Sequence, residues 1–195
     1  MPKLDYISLI IVAYFFGAVP FSVIISKLKG IDLTKIGSGN YGATNVYRAM
    51  GLPYAVIVFL LDATKGYLPV TIALSMPEPN TVIPLGIGFI TVLAHTFSVF
   101  VKFRGGRGVA TSLGVLFALS PDVCLIAFGL GILIIKFTRI VSLASVSCSL
   151  LVPVLLFLFS YPKEYVVFFS LIAAYIVFKH IANIKRLFNG SENRV

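Results

Sequence analysis

The chain of 195 residues is 58% hydrophobic and 12% charged, whereas soluble domains are roughly 45–50% apolar and about 25% charged. A water-soluble fold of this length cannot bury so much apolar surface, and disordered chains are poor in apolar residues, so both classes are excluded. A net charge of +9 on this apolar background favours a positive-inside membrane topology over nucleic-acid binding, and we expect no nucleic-acid partner.

Polar, glycine-rich and proline-rich breaks divide the chain into apolar runs of the kind that form transmembrane helices. In chain order these runs are Tyr6–Ser26, Leu52–Met76, Thr81–Val101, Val109–Ile135, Ile140–Ser160 and Tyr165–Phe178. The first run is long enough to span a bilayer and lacks a small-residue cleavage site, so it is interpreted as a retained span rather than a signal peptide. A turn at Pro77–Asn80 ends the second run.

The fourth run is interrupted at Ser120–Asp122, and each half is shorter than the ~17–25 residues of a usual span. The basic segments on either side, Lys102–Arg107 and Lys136–Arg139, should lie on one side of the membrane, which requires two crossings. We therefore predict an all-α polytopic membrane protein of seven transmembrane helices, the fourth and fifth short. The N-terminus is then outside and the C-terminus cytoplasmic, and among the basic residues only Lys3 and Lys163 lie outside.

The first polar segment, Lys35–Arg48, lies between the first two predicted spans and combines three glycines with hydroxyl, amide and guanidinium side chains. Glycines let backbone N–H groups converge on an anion, and Arg48 offers a permanently charged, forked partner for phosphate. The alternative interpretation is a polar turn with a helix cap. The candidate phosphate-binding residues of this segment are Gly39, Asn40, Gly42, Thr44 and Asn45.

The second polar segment, Lys102–Thr111, carries glycines and arginines directly before a predicted helix. Helix N-termini attract anions, so this pattern also indicates phosphate binding, although it does not match the Walker A spacing. A basic anchor beside the membrane is the alternative, and it explains Lys102 and Arg104 better than it explains the glycines. The candidate phosphate-binding residues here are Gly105, Gly106, Gly108 and Thr111.

The third polar segment runs from His180 to Glu192, and its residues His180, Asn183 and Arg186 fall on one helical face. We predict Arg186 as a phosphate ligand and Glu192 as a further site residue. A histidine at a helix end can instead have a structural role or favour the helix dipole.

Three ionisable residues, Asp62, Lys65 and His95, fall in or beside predicted spans, where such groups are expensive and mark functional candidates. Asp62 and Lys65 are spaced to form an ion pair, and Lys65 is also a candidate phosphate ligand. His95 either lines a site or is a satisfied residue of the bundle. Ser142 either hydrogen-bonds across helices or faces the same phosphate-binding cavity.

These motifs resemble those of a known family, the acyl-phosphate:glycerol-3-phosphate acyltransferases or PlsY family. The resemblance covers nearly the whole chain and is carried by Ser38–Arg48, Gly105–Thr111 and His180–Glu192. One departure is Arg107, which stands where the family typically has Lys, and the two side chains differ in geometry. The sequence has neither a G-x-S-x-G elbow nor an H-E-x-x-H motif, so we expect no serine-hydrolase or metal-dependent chemistry.

The resemblance implies a single acyltransferase domain over residues 1–195 in the cell inner membrane, with its active site facing the cytoplasm. Such an enzyme transfers a fatty acyl group from acyl phosphate to the 1-hydroxyl of sn-glycerol 3-phosphate, giving lysophosphatidic acid and phosphate, the first acylation of bacterial phospholipid synthesis. Membrane lipids surround it, and we expect no cofactor, no metal and no obligate protein partner.

Catalytic roles follow from that resemblance for five residues, namely Ser38, Arg48, Arg107, His180 and Asn183. Acyl phosphate is already activated, so we expect direct attack by the glycerol hydroxyl and no acyl-enzyme on Ser38. The candidate proton acceptors are His180 and the donor phosphate, of which we favour the phosphate. This requires the three polar segments to meet at the cytoplasmic boundary of the membrane. A carrier of phosphorylated lipid precursors and a lipid-binding bundle without turnover are the alternatives, and phosphate release that depends on glycerol 3-phosphate separates them from an enzyme.

Overall fold

The computed structural model describes residues 6–77 and 81–195; the predicted outer residue Lys3 and most of the predicted turn at Pro77–Asn80 lie outside these ranges. Within the described residues the regular structure is helical and no strand occurs, as predicted. The α-helices of the described ranges are α1 (Tyr6–Ala18), α2 (Phe21–Leu28), α3 (Ala43–Met50), α4 (Leu52–Leu74), α5 (Val82–Thr96), α6 (Val109–Leu119), α7 (Pro121–Thr138), α8 (Val141–Leu158), α9 (Lys163–Lys179) and α10 (Ile181–Phe188).

Several helical segments are long and apolar enough to cross a bilayer. In the described part of the chain five segments meet this condition, and a sixth does if the bent pair of α9 and α10 is one span. The five segments are Tyr6–Leu28, Leu52–Leu74, Val82–Val101, Pro121–Thr138 and Val141–Leu158. The apolar helix α6 is shorter, with 11 residues. The chain is thus a polytopic all-α membrane protein, whereas the count of seven spans and the orientation stay predictions.

The first span is not the continuous helix that its hydropathy predicts. Pro20 separates α1 from α2 because proline has no N–H to donate and its ring collides with the preceding turn. The break exposes main-chain carbonyls that side chains from elsewhere in the chain satisfy. The Ala18 carbonyl accepts from Ser98 Oγ at 2.5 Å, and the Val19 carbonyl accepts from Lys65 Nζ at 2.6 Å.

The predicted interruption of the fourth run is confirmed, because α6 ends at Leu119 and α7 begins at Pro121. The predicted short fifth helix is wrong, since α7 has 18 residues and continues through Lys136. Proline is favoured at a first helical position, and a lysine near a helix end extends its charge towards water. The chain leaves α7 only at Arg139, which has a left-handed φ of 62°.

The chain divides into two compact units, Met1–Leu119 and Ser120–Val195, and the single-domain assignment stays a prediction. In the first unit α4 packs against α1, α2, α3, α5 and α6. The contact of α4 with α6 depends on glycine. A Cβ at Gly66 would overlap the carbonyl oxygen of Thr111, and a Cβ at Gly114 would overlap that of Ala63. Small residues of this kind let transmembrane helices approach backbone to backbone.

In the second unit α8 packs between α7 and α9, and α10 contacts both α8 and α9. The axes of α9 and α10 differ by 62°, with His180 at the bend. In the connection between α8 and α9, the Tyr161 hydroxyl donates to Asp122 Oδ1 at 2.5 Å. Desolvation and this bond to the carboxylate raise the pKa of Tyr161 to about 12.

Candidate functional site

Asn45 fixes the shape of the first polar segment. Its Oδ1 accepts a hydrogen bond from the amide of Ser38 at 3.0 Å, and its Nδ2 donates to the carbonyl oxygen of Leu33 at 3.0 Å. The side chain is 1% exposed. Because the chain itself occupies both ends of the side-chain amide, the geometry favours a shaping role over the predicted contact with phosphate.

The turns of this segment use a glycine and an asparagine. Gly39 has a φ of 66°, a left-handed value that residues with a side chain rarely adopt. Asn40 Oδ1 accepts from the amide of Gly42 at 2.9 Å, which closes an Asx turn just before α3. The predicted phosphate-binding roles of these residues stay predictions.

Arg48 and Thr44 lie on α3, a short helix that forms the last part of the segment. A Cβ at Gly37 would come within 3.0 Å of Arg48 Cδ, so the arginine stem packs across the segment at a residue whose own φ is 55°. Ser38, the next residue, is exposed. The first part of this segment is therefore a turn that packs against α3, and Ser38 in this turn is exposed.

The second polar segment folds back onto the C-terminal end of α5. The amide of Gly105 donates to the Thr96 carbonyl at 2.8 Å. A Cβ at Gly105 would overlap the His95 carbonyl oxygen, and a Cβ at Gly106 would overlap the His95 ring. Any residue larger than glycine at these two positions would push the segment away from α5.

The segment then enters α6 through Gly108, whose φ of 84° is again left-handed and whose carbonyl accepts from the amide of Ser112 at 2.8 Å. Arg107 is half-buried beside it. Thr111 is fully buried in the first turn of α6, and within residues 6–77 and 81–195 its Oγ1 has no hydrogen-bond partner. An anion at this helix end would meet main-chain N–H groups and a positive dipole end.

The predicted pairing of Asp62 with Lys65 is confirmed. The Lys65 Nζ lies 2.6 Å from Asp62 Oδ1, 2.6 Å from the Val19 carbonyl oxygen and 3.4 Å from His95 Nδ1. Lys65 is 1% exposed and Asp62 is 3% exposed. Since an ammonium has three donors and each faces a partner here, the predicted role of Lys65 as a phosphate ligand gains no support from these contacts.

In the second unit, the Glu192 carboxylate gathers three of the predicted site residues. Its Oε1 accepts from Asn183 Nδ2 at 2.5 Å and from Ser142 Oγ at 2.8 Å. Its Oε2 lies 2.7 Å from Arg186 Nε. Ser142 thus links α8 to the chain after α10, which is not helical there, so its predicted hydrogen bond across helices stays a prediction. Arg186 and Ser142 point to this carboxylate, so their predicted contact with phosphate stays a prediction.

The environment of Glu192 decides its charge. Burial of the carboxyl raises its pKa, but the hydrogen bonds from Asn183, Ser142 and Arg186 outweigh that effect, and the pKa of Glu192 falls below its ordinary value of 4.5. The group is therefore a carboxylate at neutral pH. It serves as an acceptor that holds the chain after α10 against α8 and α10.

His180 lies at the bend between α9 and α10 and is 3% exposed. Its Nδ1 is 2.8 Å from the carbonyl oxygen of Ile176. A carbonyl only accepts, so the proton of this hydrogen bond is on Nδ1. The neighbouring Asn183 keeps a buried Oδ1 for which the described residues offer no hydrogen-bond partner.

The structure thus brings together Ser38 with Asn45, Lys65 and His95 with the glycine-rich second segment, and Ser142, Asn183 and Arg186 around Glu192. The meeting of all three polar segments in one site stays a prediction. Sequence reasoning missed Ser98, which is buried and bonds to the Ala18 carbonyl. A single serine inside an apolar run carries no signal for this partner, which is a main-chain atom 80 residues away.

Comparison with known proteins assigns the chain to a family. The family model of glycerol-3-phosphate acyltransferase matches residues 7–190. The chain belongs to the glycerol-3-phosphate acyltransferase family. It is 44% identical over 186 residues to the glycerol-3-phosphate acyltransferase of Aquifex aeolicus, with 95% of this chain and 97% of the relative covered. It is 42% identical to that of Fusobacterium nucleatum, with 95% of each chain covered.

Solved members of the family have the same fold. The chain is similar to the crystal structure of PlsY, an integral membrane glycerol 3-phosphate acyltransferase, in its glycerol 3-phosphate form, with a TM-score of 0.93 and 43% identity. The match covers 97% of this chain and 95% of that one. The lysophosphatidic acid form of PlsY gives a TM-score of 0.90 at 42% identity, covering 97% of this chain and 94% of that one. The family resemblance drawn from the three motifs is confirmed.

Proposed function

We propose that this protein transfers a fatty acyl group from acyl phosphate to the 1-hydroxyl of sn-glycerol 3-phosphate and releases lysophosphatidic acid and inorganic phosphate. The observation that carries the proposal is the match over nearly the whole chain to PlsY in its glycerol 3-phosphate and lysophosphatidic acid forms. Substrate and product of an acyl transfer are represented by those two forms. We infer acyl phosphate as the donor from the motif resemblance and from the suitability of the polar segments for binding phosphate.

Both proposed substrates carry phosphate, and the first unit offers groups suited to it. Arg48 on α3 and Arg107 before α6 keep their charge at any physiological pH and match phosphate geometry. The glycine-rich segment Gly105–Gly108 presents main chain at the N-terminal end of α6, where anions are favoured. We propose that these groups bind the substrate phosphates and stabilise the departing phosphate.

The lipid character of the product fits the surface of the protein. The spans carry many exposed large apolar side chains, such as Ile11, Leu60 and Leu133, which a bilayer solvates. We propose that the acyl chain lies in the lipid-accessible part of the bundle. We also propose that the protein is in the cell inner membrane with its active site facing the cytoplasm, because the basic residues concentrate in the polar segments that follow the predicted inner ends of the helices.

The proposed reaction needs no enzyme nucleophile. The glycerol oxygen forms a bond to the acyl carbonyl carbon, and the bond from that carbon to the phosphate oxygen breaks. The hydroxyl proton passes to an oxygen of the departing phosphate, so atoms and charge balance. Proximity of the two bound substrates supplies a large part of the acceleration. The exposed Ser38 serves as a hydrogen-bond donor and forms no acyl-enzyme.

His180 and Asn183 orient the substrates in this proposal. The Nδ1 of His180 is held at the Ile176 carbonyl, which fixes the orientation of the ring, and we propose that the imidazole contacts a substrate oxygen. Glu192 holds the Nδ2 of Asn183 and thereby fixes the direction of its Oδ1. An acceptor atom at a fixed position, such as Asn183 Oδ1, favours binding of a hydroxyl group, which can donate a hydrogen bond, over binding of a second anion.

The test is an assay of purified protein in detergent with acyl phosphate and glycerol 3-phosphate, following phosphate release and lysophosphatidic acid. We expect release that depends on glycerol 3-phosphate. Arg48→Ala should reduce turnover by about 100-fold or more, the range seen when a charged transition-state partner is removed. His180→Ala should reduce it as well, while both variants remain folded.

Lys163→Ala is the matched control, because it removes an exposed cation at the first residue of α9 and should leave the rate unchanged. Phosphate release without lysophosphatidic acid would contradict the proposal, as would a wild-type rate in Arg48→Ala. An acyl adduct trapped on Ser38 would contradict the direct mechanism while leaving the overall reaction intact.

A further inference from the structure

A buried charged cluster, Asp62, Lys65 and His95, lies inside the first unit and takes no part in the proposed chemistry. Its ion pair is short, with 2.6 Å between Lys65 Nζ and Asp62 Oδ1, and all three side chains are less than a tenth exposed. Buried charges of this kind are costly unless they are paired and hydrogen-bonded. Their presence within a span therefore calls for a role.

His95 joins this cluster to the glycine-rich segment. Its Nδ1 is 3.4 Å from Lys65 Nζ and 3.7 Å from Asp62 Oδ1, so the lysine contact is the one near hydrogen-bond length. Lysine only donates, which makes Nδ1 the acceptor and places the proton of the neutral ring on Nε2. Nε2 is on the side of the ring that abuts Gly106.

The main chain around His95 holds the same segment. The Thr96 carbonyl accepts from the amide of Gly105 at 2.8 Å, and the Ser98 carbonyl accepts from the amide of Phe103 at 2.8 Å. Phe103 has a left-handed φ of 61°, a strained value that persists only where surrounding contacts determine it. The C-terminal end of α5 is thus the surface on which the glycine-rich segment packs closely.

The cluster also reaches the junction of α1 and α2. Lys65 donates to the Val19 carbonyl at 2.6 Å, next to the break at Pro20. Its ammonium lies 5.0 Å from the centre of the Phe21 ring, at the start of the helix that leads to the first polar segment. Lys65 therefore contacts the junction of α1 and α2 directly, and it contacts the glycine-rich segment indirectly, through His95.

We propose that Asp62, Lys65 and His95 are positioning residues that fix the glycine-rich segment on α5 and tie it to the junction of α1 and α2. The inference rests on the proposed function, since it assigns the cluster to the geometry of the phosphate-binding segment. The hydrogen bonds act through Lys65, which is the donor to both neighbours. The Asp62 carboxylate favours the charged form of the Lys65 ammonium and fixes its position.

The experiment must separate positioning from simple loss of folding. Lys65→Met alone leaves the Asp62 carboxylate buried and unpaired, a change that destabilises proteins strongly. The double variant Asp62→Asn/Lys65→Met removes both charges together and keeps side chains of similar size. His95→Ala removes the ring under Gly106. Thr91→Val is the matched control, since Thr91 is fully buried one turn earlier on α5 and its hydroxyl donates to the Ile87 carbonyl of the same helix.

The measurement is kcat and KM for each substrate in detergent, on protein shown to be folded by its thermal unfolding profile. We expect the double variant and His95→Ala to raise KM for at least one phosphate-bearing substrate by about tenfold or more, the effect of one lost hydrogen bond to a charged group. Their kcat should change by less than about threefold, because no reacting group is removed. Thr91→Val should change neither constant.

The outcomes separate the two proposals. If wild-type protein transfers acyl groups and the folded double variant has both KM values within about twofold of wild type, the positioning role is wrong while the proposed function stands. If wild-type protein releases no phosphate with both substrates, the proposed function is wrong, and binding of glycerol 3-phosphate to wild type and double variant by calorimetry then decides the positioning role. Equal affinities would overturn it.

Discussion

Replacing Glu192 by alanine tests the second unit most directly. Three groups converge on this carboxylate, and the side chain is 3% exposed. In Glu192→Ala the Nδ2 of Asn183 and the hydroxyl of Ser142 lose their acceptor. Arg186 loses its ion-pair partner. The chain after α10 would then have fewer contacts that hold it to α8, and the second unit should unfold more easily.

The magnitude follows from the burial of each partner. A hydrogen bond to a charged group contributes about 1.5–3 kcal/mol, and the contributions do not add fully. Arg186 is 35% exposed, so solvent screens its ion pair to about 0–1 kcal/mol. The two bonds to Asn183 and Ser142 dominate. We expect Glu192→Ala to lower the free energy of unfolding by about 3–5 kcal/mol.

Glu192→Gln is the matched control. It keeps one oxygen acceptor for Asn183 and Ser142, but it removes the charge and replaces the oxygen that faces Arg186 by an NH2 donor. It should therefore lower the free energy of unfolding by about 1–2 kcal/mol. The assay is unfolding of purified protein in mixed micelles with a rising fraction of a denaturing detergent. A Glu192→Ala variant within about 1 kcal/mol of wild type would refute the view that this carboxylate holds the unit together.

The pH dependence provides a second check on Glu192. Its pKa in the folded protein is lower than 4.5, so the folded state favours the carboxylate. The stability that the charge contributes is complete above pH 4.5 and is lost as the pH falls through the folded-state pKa. Glu192→Gln should lack this acid-dependent loss. Equal slopes of stability against pH for both proteins below pH 4.5 would contradict the hydrogen-bonded environment described for the carboxylate.

Three further changes test separate features. Asn45→Ala should destabilise the protein by about 1–3 kcal/mol, because it leaves a main-chain donor and a main-chain acceptor of the first segment without their partner; thermal unfolding measures it. Gly66→Ala should destabilise it by about 1–3 kcal/mol or more by pushing α6 away from α4, measured in the same way. Arg107→Lys keeps the cation but loses the guanidinium fork and should lower the rate by up to about tenfold, whereas Arg107→Ala loses both and should lower it by about 100-fold; the acyl-transfer assay decides.

Each of these has a control in the chain. For Gly66→Ala the control is Gly86→Ala on α5, where an added Cβ meets nothing within 4 Å and stability should not fall. For Asn45→Ala the comparison is Asn45→Asp, which keeps the acceptor for Ser38 but loses the donor to the Leu33 carbonyl, so it should also destabilise the protein. Equal stability of the two glycine variants would contradict the close contact of α4 with α6. A rate for Arg107→Ala equal to wild type would remove this residue from phosphate binding.

The helical class and most helix positions follow from hydropathy alone, because a bilayer requires long apolar helices. Hydropathy contains no information on main-chain hydrogen bonds, so it does not predict the helix break at Pro20, which lies inside an apolar run. It also treats Lys136 as the start of a loop, whereas a lysine at a helix end extends its charge to water and lets α7 continue. Breaks marked by proline together with polar residues, as at Ser120, are predictable.

The polar residues show the same division. The pairing of Asp62 with Lys65 follows from their spacing on one helix. The contact of Lys65 with the Val19 carbonyl does not, because that partner is a main-chain atom 46 residues away. Likewise, Glu192 and Asn183 stand out by type and proximity, but only coordinates show that the carboxylate holds the amide instead of facing a substrate. Spacing identifies residues of a site better than it assigns their tasks.

The glycine contact between α4 and α6 has a consequence for how the protein responds to its lipid environment. Helices in membranes of different thickness adapt mainly by tilting. Gly66 and Gly114 bring two backbones into direct contact, so neither helix can slide along the other without collision. This pair should lean as one body when the bilayer thins or thickens, and the entrance to α6 should keep its depth relative to α4 whatever the surrounding acyl chains.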